Sequence, residues 1–187
     1  MCIRDSYLCS LLMLAVFAGM IWYLADYVSS NQEALFNNSY NSQQRVLAQE
    51  NTRGTIYAGT GEVLAQTVIA EDGTSVREYP YKNIFAHVVG YTDKGKTGIE
   101  ELENYQLIHS DISDREKLDH ELAGEKNPGN DVYTTLDTSL QQAASDALGL
   151  YRGAIVVTEI KTGRVLAMVS KPDYDPNKIA ENWETLS

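Results

Sequence analysis

The sequence predicts an α+β protein with a single N-terminal transmembrane helix, and three observations support this class. Residues 7–25, which begin at Tyr7 and end at Ala25, contain no charged side chain. Residues 132–170 read as a strand, a helix and a hairpin in succession, and residues 53–68 read as another hairpin. Strands and helices that follow one another without regular alternation are typical of the α+β class.

Composition excludes several classes of function. The 187 residues include 26 acidic and 15 basic side chains, for a formal charge of -11, which leaves no basic surface for nucleic acid. Cys2 and Cys9 both lie near the N-terminus, so the rest of the chain has no disulfide and no cysteine-based zinc spacing. His87, His109 and His120 lack the spacing of metal ligands. We predict no nucleic-acid partner, no metal and no cofactor.

Residues 7–25 are predicted to anchor the chain in the cell membrane as a single pass. As a helix they span about 28 Å, close to the ~30 Å hydrocarbon core of a bilayer. Trp22 and Tyr23 stand where interfacial aromatic residues are expected. Arg4 precedes the apolar run, whereas the next basic residue is Arg45, so the N-terminus is predicted to be cytoplasmic and the bulk extracytoplasmic. An uncleaved anchor is favoured over a signal peptide because no A-x-A-like cleavage site follows.

Composition also divides the chain. We expect an anchor in residues 1–26, a polar stalk rich in Asn, Gln and Ser in residues 27–52, a mixed domain in residues 53–150, and the start of a further domain in residues 151–187. The opening MCIRDS is unlike a native start, and we expect a truncated or artefactual N-terminus.

The elements outside the anchor follow from local patterns. Residues 58–61 (AGTG) predict a hairpin turn, residues 77–91 an extended segment, residues 98–109 a helix, and residues 110–127 an irregular surface segment.

The last third has the clearest pattern. Val132, Thr134 and Leu136 alternate as a strand, and Asp137 is placed to cap the following helix. A hairpin with a three-residue loop and Gly163 in the left-handed conformation comes next. The helix is predicted to bury one face, made of Leu140, Ala143, Ala144, Ala147, Leu148 and Tyr151.

Residues 90–97 (GYTDKGKT) satisfy the phosphate-binding pattern G-x-x-x-x-G-K-T through Gly90, Lys96 and Thr97. In such a loop, backbone amides and a helix N-terminus hold the phosphates. Gly98 in the first helical turn and the predicted outward location both disfavour this function. A P-loop NTPase is therefore a minor alternative.

Other short patterns are predicted to be structural. Lys-Thr-Gly, one of three motifs of penicillin-binding proteins, occurs at residues 96–98 and 161–163. That motif follows an S-x-x-K nucleophile, and no serine here is followed three residues later by lysine, so both copies are interpreted as turns. Asp173 and Asp175 resemble half a calcium loop, but the PDYDPN segment is interpreted as an exit loop.

Taken together, the segments resemble class B penicillin-binding proteins, particularly the short elongation-type proteins of Gram-positive bacteria. Ala58 and Gly59 stand where the family usually has Asp and Arg, and NSQ replaces a more usual N-P-R. The segments that carry the resemblance are, in order, NNSYNSQ, RGTIYAGTGEVLA, REYPYKNIFAHVVGY, GKTGIEELEN, PGNDVYTTLDTSLQQAASDAL and GAIVVTEIKTGRVLAMVSKPDYDPN.

The resemblance implies a pedestal domain followed by the first helix and β-hairpin of a penicillin-binding transpeptidase domain. In the family, the serine of S-x-x-K attacks the D-Ala-D-Ala amide of a peptidoglycan stem peptide, and β-lactams acylate the same serine. The resemblance also implies a membrane-embedded cell-wall glycosyltransferase as partner. No catalytic residue is assigned here, because the family's serine lies beyond the PDYDPN loop and Ser187 comes too early.

We therefore expect an N-terminal fragment whose hairpin, at residues 153–170, lacks a full layer of packing partners. Its apolar positions are Ile155, Val157, Val165, Ala167 and Val169. The alternative of a different class is a non-catalytic, membrane-anchored cell-wall scaffold. A class A enzyme is disfavoured because the segment before Gly153 is too short for a glycosyltransferase domain.

Overall fold

A computed structural model describes residues 3–31, 35, 43–70 and 74–186. The chain divides into two compact units, Met1–Asn41 and Ser42–Ser187.

The first unit consists of helix α1, Ile3–Ser30. Its segment Tyr7–Ser30 has a mean hydropathy of 2.2 and is long and apolar enough to cross a membrane. The predicted helix is confirmed, but it continues past residue 25 into the segment predicted as stalk, because Asp26 is isolated and Tyr27 and Val28 extend the apolar surface. Residues 32–34 and 36–42 of the predicted stalk, which include NNSYNS, lie outside the described residues.

The second unit begins with α2 (Gln43–Glu50) and the strands β1 (Asn51–Thr52), β2 (Ile56–Tyr57), β3 (Val63–Ile69) and β4 (Ser75–Glu78). A 3₁₀ turn (Lys82–Ile84) and four helices follow, α3 (Ala86–Val89), α4 (Gly98–Leu102), α5 (Asn104–Ile108) and α6 (Asp114–Ala123). Then come β5 (Asn127–Pro128), β6 (Val132–Tyr133), α7 (Thr138–Leu148), β7 (Gly153–Thr158) and β8 (Val165–Lys171). A second 3₁₀ turn (Pro176–Lys178) and α8 (Ile179–Leu186) complete the described residues.

Two chain segments far apart in sequence run side by side in parallel. β1 pairs with β5, and β2 pairs with β6 at the edge of a four-stranded sheet of order β4-β3-β2-β6. Glycine permits the close approach between these pairs, since a Cβ on Gly54 would lie 2.0 Å from the Asn130 carbonyl oxygen. A Cβ on Gly129 would lie 2.1 Å from the Leu107 carbonyl oxygen. Larger residues at either position would force the two segments apart.

The predicted hairpin turn forms between β2 and β3. The Gly61 amide donates to the Ala58 carbonyl, and Gly61 adopts a φ of 98°, which favours glycine. The departures at Ala58 and Gly59 are accommodated because Ala58 joins the core and the Gly59 amide donates to the Leu136 carbonyl. The main core of the unit contains Ile56, Ala58, Leu64, Ala65, Tyr79, Phe85, Val89, Leu107 and Leu136.

Two expectations for the middle of the chain are wrong. Residues 77–91 are not extended throughout, because β4 ends at Glu78 and is followed by a 3₁₀ turn and α3, which distant side chains hold in place. Residues 110–127 contain α6, which a capping box between Ser113 and Glu116 begins and Gly124 ends. Its side chains are not buried, so the predicted surface location is confirmed while the helix was missed.

The burial of α7 differs from the predicted apolar face. Leu140, Ala143 and Ala147 are exposed, and the buried positions on this helix are Gln141, Ala144 and Ser145. The polar Gln141 side chain turns inward because its amide pairs with backbone groups of Met168 in β8 and of Ile84 in the first 3₁₀ turn. The strand before α7 also stops at Tyr133, and the helix ends at Leu148, so Tyr151 lies outside it.

The predicted hairpin of β7 and β8 forms, with six paired positions. The Glu159 amide donates to the Arg164 carbonyl, so four residues form the loop instead of three, and Gly163 takes the predicted left-handed φ of 75°. The expectation that the inner face lacks partners is wrong for β8. Ala167 and Val169 are buried because α7 and α3 pack over that strand.

Candidate functional site

Three of the segments that carry the family resemblance meet at a buried ion cluster. Arg53 precedes β2, Arg77 lies on β4, and Glu100 lies on α4. The Arg53 Nε lies 2.6 Å from Glu100 Oε2, and the Arg77 Nε lies 2.8 Å from Glu100 Oε1. The side chain of Glu100 is completely buried, and those of Arg53 and Arg77 are 13% and 7% exposed. One carboxylate thus joins two guanidinium groups from different elements.

Hydrogen bonds complete the cluster on both sides. Arg53 donates from Nη1 to Asn104 Oδ1 at 2.8 Å and from Nη2 to the Glu100 carbonyl at 2.6 Å. Arg77 donates from Nη1 to the Gly54 carbonyl at 2.7 Å and to Thr67 Oγ1 at 3.0 Å. Charge-assisted bonds of this kind fix geometry as well as adding energy.

Burial sets the ionisation of the surrounding groups. Desolvation lowers the pKa of Arg53, and the adjacent Glu100 carboxylate opposes that effect. Burial, together with the Glu100 charge, raises the pKa of Tyr79, whose hydroxyl lies 3.4 Å from Glu100 Oε1. Desolvation lowers the pKa of Lys96, whose Nζ donates to Gln44 Oε1 at 3.2 Å.

The residues of the P-loop pattern do not form a phosphate cradle. The preceding segment is the helix α3, where a P-loop requires a strand, and α4 after it has only five residues. A Cβ on Gly90 would lie 1.9 Å from the Thr97 carbonyl oxygen, so residues 90–97 close into a tight loop. The Lys96 side chain extends to Gln44.

The PDYDPN segment clamps the second unit together. Asn177 exchanges two hydrogen bonds with the Tyr79 backbone, at 2.9 and 3.0 Å. Tyr174 donates to the Ala86 carbonyl at 2.9 Å, and Asp173 accepts from Asn83 at 2.8 Å. Asp175 instead caps the second 3₁₀ turn by accepting from the Asn177 amide. The exit-loop interpretation therefore fits these contacts better than half a calcium site.

Gln141 joins α7 to the hairpin. Its Nε2 donates to the Met168 and Ile84 carbonyls, both at 2.8 Å, and its Oε1 accepts from the Met168 amide at 2.8 Å. The side chain therefore pairs with the outer edge of β8 as a neighbouring strand would. The sequence analysis predicted neither this role of Gln141 nor the ion cluster, although the residues involved lie in the segments that carry the family resemblance.

Among the described residues, no group of three or more His, Cys, Asp or Glu side chains is arranged to hold a metal ion. His87 bonds the Pro172 carbonyl, His109 lies 3.3 Å from Asp111, and His120 lies 3.3 Å from Asn127 Oδ1. These histidines have local partners and are not brought together. Two features of the second unit stand out: the ion cluster, and the hydrogen bonds that join residues 173–177 to Tyr79, Asn83 and Ala86.

Both features lie in regions that match known families. Residues 53–132 match the penicillin binding protein A dimerisation domain, and residues 153–186 match the penicillin binding protein transpeptidase domain. The peptidoglycan D,D-transpeptidase PbpA of Mycolicibacterium smegmatis is 41% identical over 164 residues, which are 76% of this chain and 33% of that protein. The peptidoglycan D,D-transpeptidase MrdA of Escherichia coli K12 is 34% identical, over 56% of this chain and 22% of that protein.

Solved structures give the same result. A D,D-transpeptidase domain from Eggerthella lenta matches with a TM-score of 0.60 and 40% identity, over 73% of this chain and 29% of that chain. The imipenem acyl-enzyme complex of penicillin-binding protein A from M. tuberculosis matches with a TM-score of 0.63 and 34% identity, over 73% and 35%. The chain belongs to the class B penicillin-binding proteins. It spans 33% and 22% of the length of the two curated relatives named here.

Proposed function

We propose that this chain serves peptidoglycan cross-linking as the N-terminal region of a D,D-transpeptidase. One observation carries the proposal. Residues 153–186 match the transpeptidase family, and their hairpin is fastened to the pedestal by Gln141 and Asn177. In this role the pedestal positions the first two strands of the catalytic domain. In this proposal, the serine and lysine of S-x-x-K are not among the 187 residues of this sequence.

A chimera tests this proposal. Residues 1–186 are fused to the part of M. smegmatis PbpA that follows its matching segment, and the membrane fraction is incubated with a fluorescent penicillin. We expect covalent labelling, because β7 and β8 of this chain would complete the relative's transpeptidase sheet. The negative control is the same chimera with the relative's S-x-x-K serine changed to alanine. A chimera that is folded by circular dichroism and protease resistance but stays unlabelled would contradict the proposal.

The membrane topology proposed is single-pass, with the N-terminus in the cytoplasm and the second unit outside. Support comes from the span Tyr7–Ser30 and from Arg4 on its N-terminal side. Alkaline phosphatase, which is active only outside the cytoplasm, is fused after residue 186 and is expected to be active there. A green fluorescent protein fusion at the same position, exported through the Sec pathway, should be dark. The opposite pattern would reverse the proposed orientation.

The proposed partners follow from the family. Stem peptides and β-lactams would bind the complete transpeptidase, and a membrane-embedded cell-wall glycosyltransferase would contact α1. A photocrosslinking amino acid placed along Tyr7–Ser30 is expected to capture such an enzyme at positions on one helical face. Crosslinking that is equal on all faces, or to lipid alone, would argue against this partner.

A further inference from the structure

A cavity of about 340 Å³ opens beside the ion cluster. α2, β1, β3, β4 and the loop after α3 contribute to its wall. The charged side chains that line it are Arg53, Arg77, Lys126 and Asp93, and the hydroxyl groups of Thr52, Thr67, Ser75 and Thr92 line it as well. The wall is therefore polar and carries more positive than negative charge.

Arg77 has one donor group that no described residue satisfies. Its Nε and Nη1 are used by Glu100, Gly54 and Thr67, whereas its buried Nη2 has no hydrogen-bond partner among the described residues. The side chain is only 7% exposed. An unsatisfied buried N–H group is costly, and a charged one more so, so the Arg77 guanidinium is not fully compensated by its described partners.

Charge selects the class of ligand. Arg53 and Arg77 line the cavity and share the single carboxylate of Glu100, so this cluster has one positive charge in excess. Lys126 adds a second cation, and Asp93, which also lines the cavity, disfavours a doubly charged anion such as phosphate. The volume is at the lower end of the range of about 300–1,000 Å³ for small-molecule sites. A single carboxylate fits both constraints.

We propose that this cavity is a carboxylate-binding site, in which Arg77 and Lys126 supply the positive charge that attracts the ligand. The ligand is a small monocarboxylate or the C-terminal carboxylate of a peptide. The proposal does not depend on the transpeptidase role.

The test is an NMR titration of the complete, ¹⁵N-labelled chain in detergent micelles. Sodium acetate replaces sodium chloride at constant ionic strength, and N-acetyl-alanyl-alanine is used in a parallel arm. We expect saturable shifts of the Thr67, Arg77 and Thr92 amides. Tighter binding of the dipeptide assigns the site to peptides, and equal binding assigns it to small monocarboxylates. Absence of saturable shifts with both probes, or tighter binding of inorganic phosphate, would overturn the proposal.

Variants at exposed wall positions avoid disturbing the ion cluster. Lys126→Ala is expected to weaken acetate binding by about two- to fivefold, and Asp93→Asn to strengthen it by a similar factor. Lys161→Ala, in the β7–β8 loop, changes the net charge equally and should leave binding unchanged. If Lys161→Ala and Lys126→Ala have equal effects, the shifts reflect general charge attraction and the site is rejected.

Discussion

Glu100 and Gln141 are buried polar residues, and each connects elements that are distant in sequence. Glu100 is 0% exposed and neutralises guanidinium groups on two other segments. Gln141, also 0% exposed, satisfies both backbone groups of Met168. Buried polar groups are stable only when their partners are present, so removing either side chain leaves costly unpaired groups behind.

The Glu100→Gln substitution is therefore expected to destabilise the second unit by about 3–5 kcal/mol, because Arg53 and Arg77 would stay buried without a counter-charge. Urea unfolding at neutral pH measures the effect. Glu101→Gln is the matched control, since Glu101 is adjacent and exposed, and it should change the free energy of unfolding by less than about 0.5 kcal/mol. Equal effects of the two variants would show that Glu100 is not an essential counter-charge.

The Gln141→Leu substitution is expected to cost about 2–4 kcal/mol, because it leaves the amide and carbonyl of Met168 and the Ile84 carbonyl without their partner. Hydrogen exchange gives a specific measurement, since the Met168 amide should lose protection more than its neighbours in β8. Gln142→Leu on the exposed side of α7 is the control. Unchanged protection of the Met168 amide in Gln141→Leu would contradict this role.

At the scale of elements, α7 shows how a local signal fixes a helix end. Asp137 accepts hydrogen bonds from the Ser139 and Leu140 amides, each at 2.9 Å. The Ser139 hydroxyl also donates to it, and these bonds lower the pKa of Asp137. A carboxyl group whose pKa is lower in the folded state than in the unfolded state stabilises the fold at pH values above the unfolded pKa. That contribution is lost as the pH falls through the folded pKa.

We accordingly predict that Asp137→Asn lowers stability at neutral pH and that its difference from the wild type shrinks on acidification. The difference should start to fall as the pH drops towards the unfolded Asp value of about 3.9. Urea midpoints measured across this pH range provide the test. Asp119→Asn, at an exposed position within α6, should not change the pH dependence. A constant difference between Asp137→Asn and the wild type at all pH values would contradict the cap.

Local signals of this kind were readable from the sequence, whereas long-range ones were not. The Asp137 cap, the Gly163 turn and the β2–β3 hairpin depend on neighbouring residues, and all three were predicted. The 3₁₀ turn and α3 were missed because Asn177 and Tyr174, far along the chain, fix their backbone. The ion cluster was missed because charge alone does not reveal which residues meet. The only signal was that Arg53, Arg77 and Glu100 lie in segments that resemble the family.

At the scale of the whole second unit, the two edges of the β7–β8 sheet differ. The amide and carbonyl of Met168 point outward to Gln141, so Val156 opposite Met168 occupies a non-hydrogen-bonded pair. The amide and carbonyl of Val156 therefore point to the other edge, which pairs with no strand among the described residues. The side chains of Val156 and Met168 lie together on one face of this sheet and are 54% and 39% exposed.

An open edge beside exposed apolar side chains favours pairing with another chain. We predict that the chain self-associates through β7 in detergent micelles and that Val156→Lys reduces this association, because a lysine would place its charge at the interface. Sedimentation velocity over a range of protein-to-detergent ratios measures the effect. The control is Val76→Lys on the edge strand β4, where the wild-type side chain is 51% exposed, so that equal charge is added at a similar position. If the wild type is monomeric, or if both variants reduce association equally, β7 is not the interface.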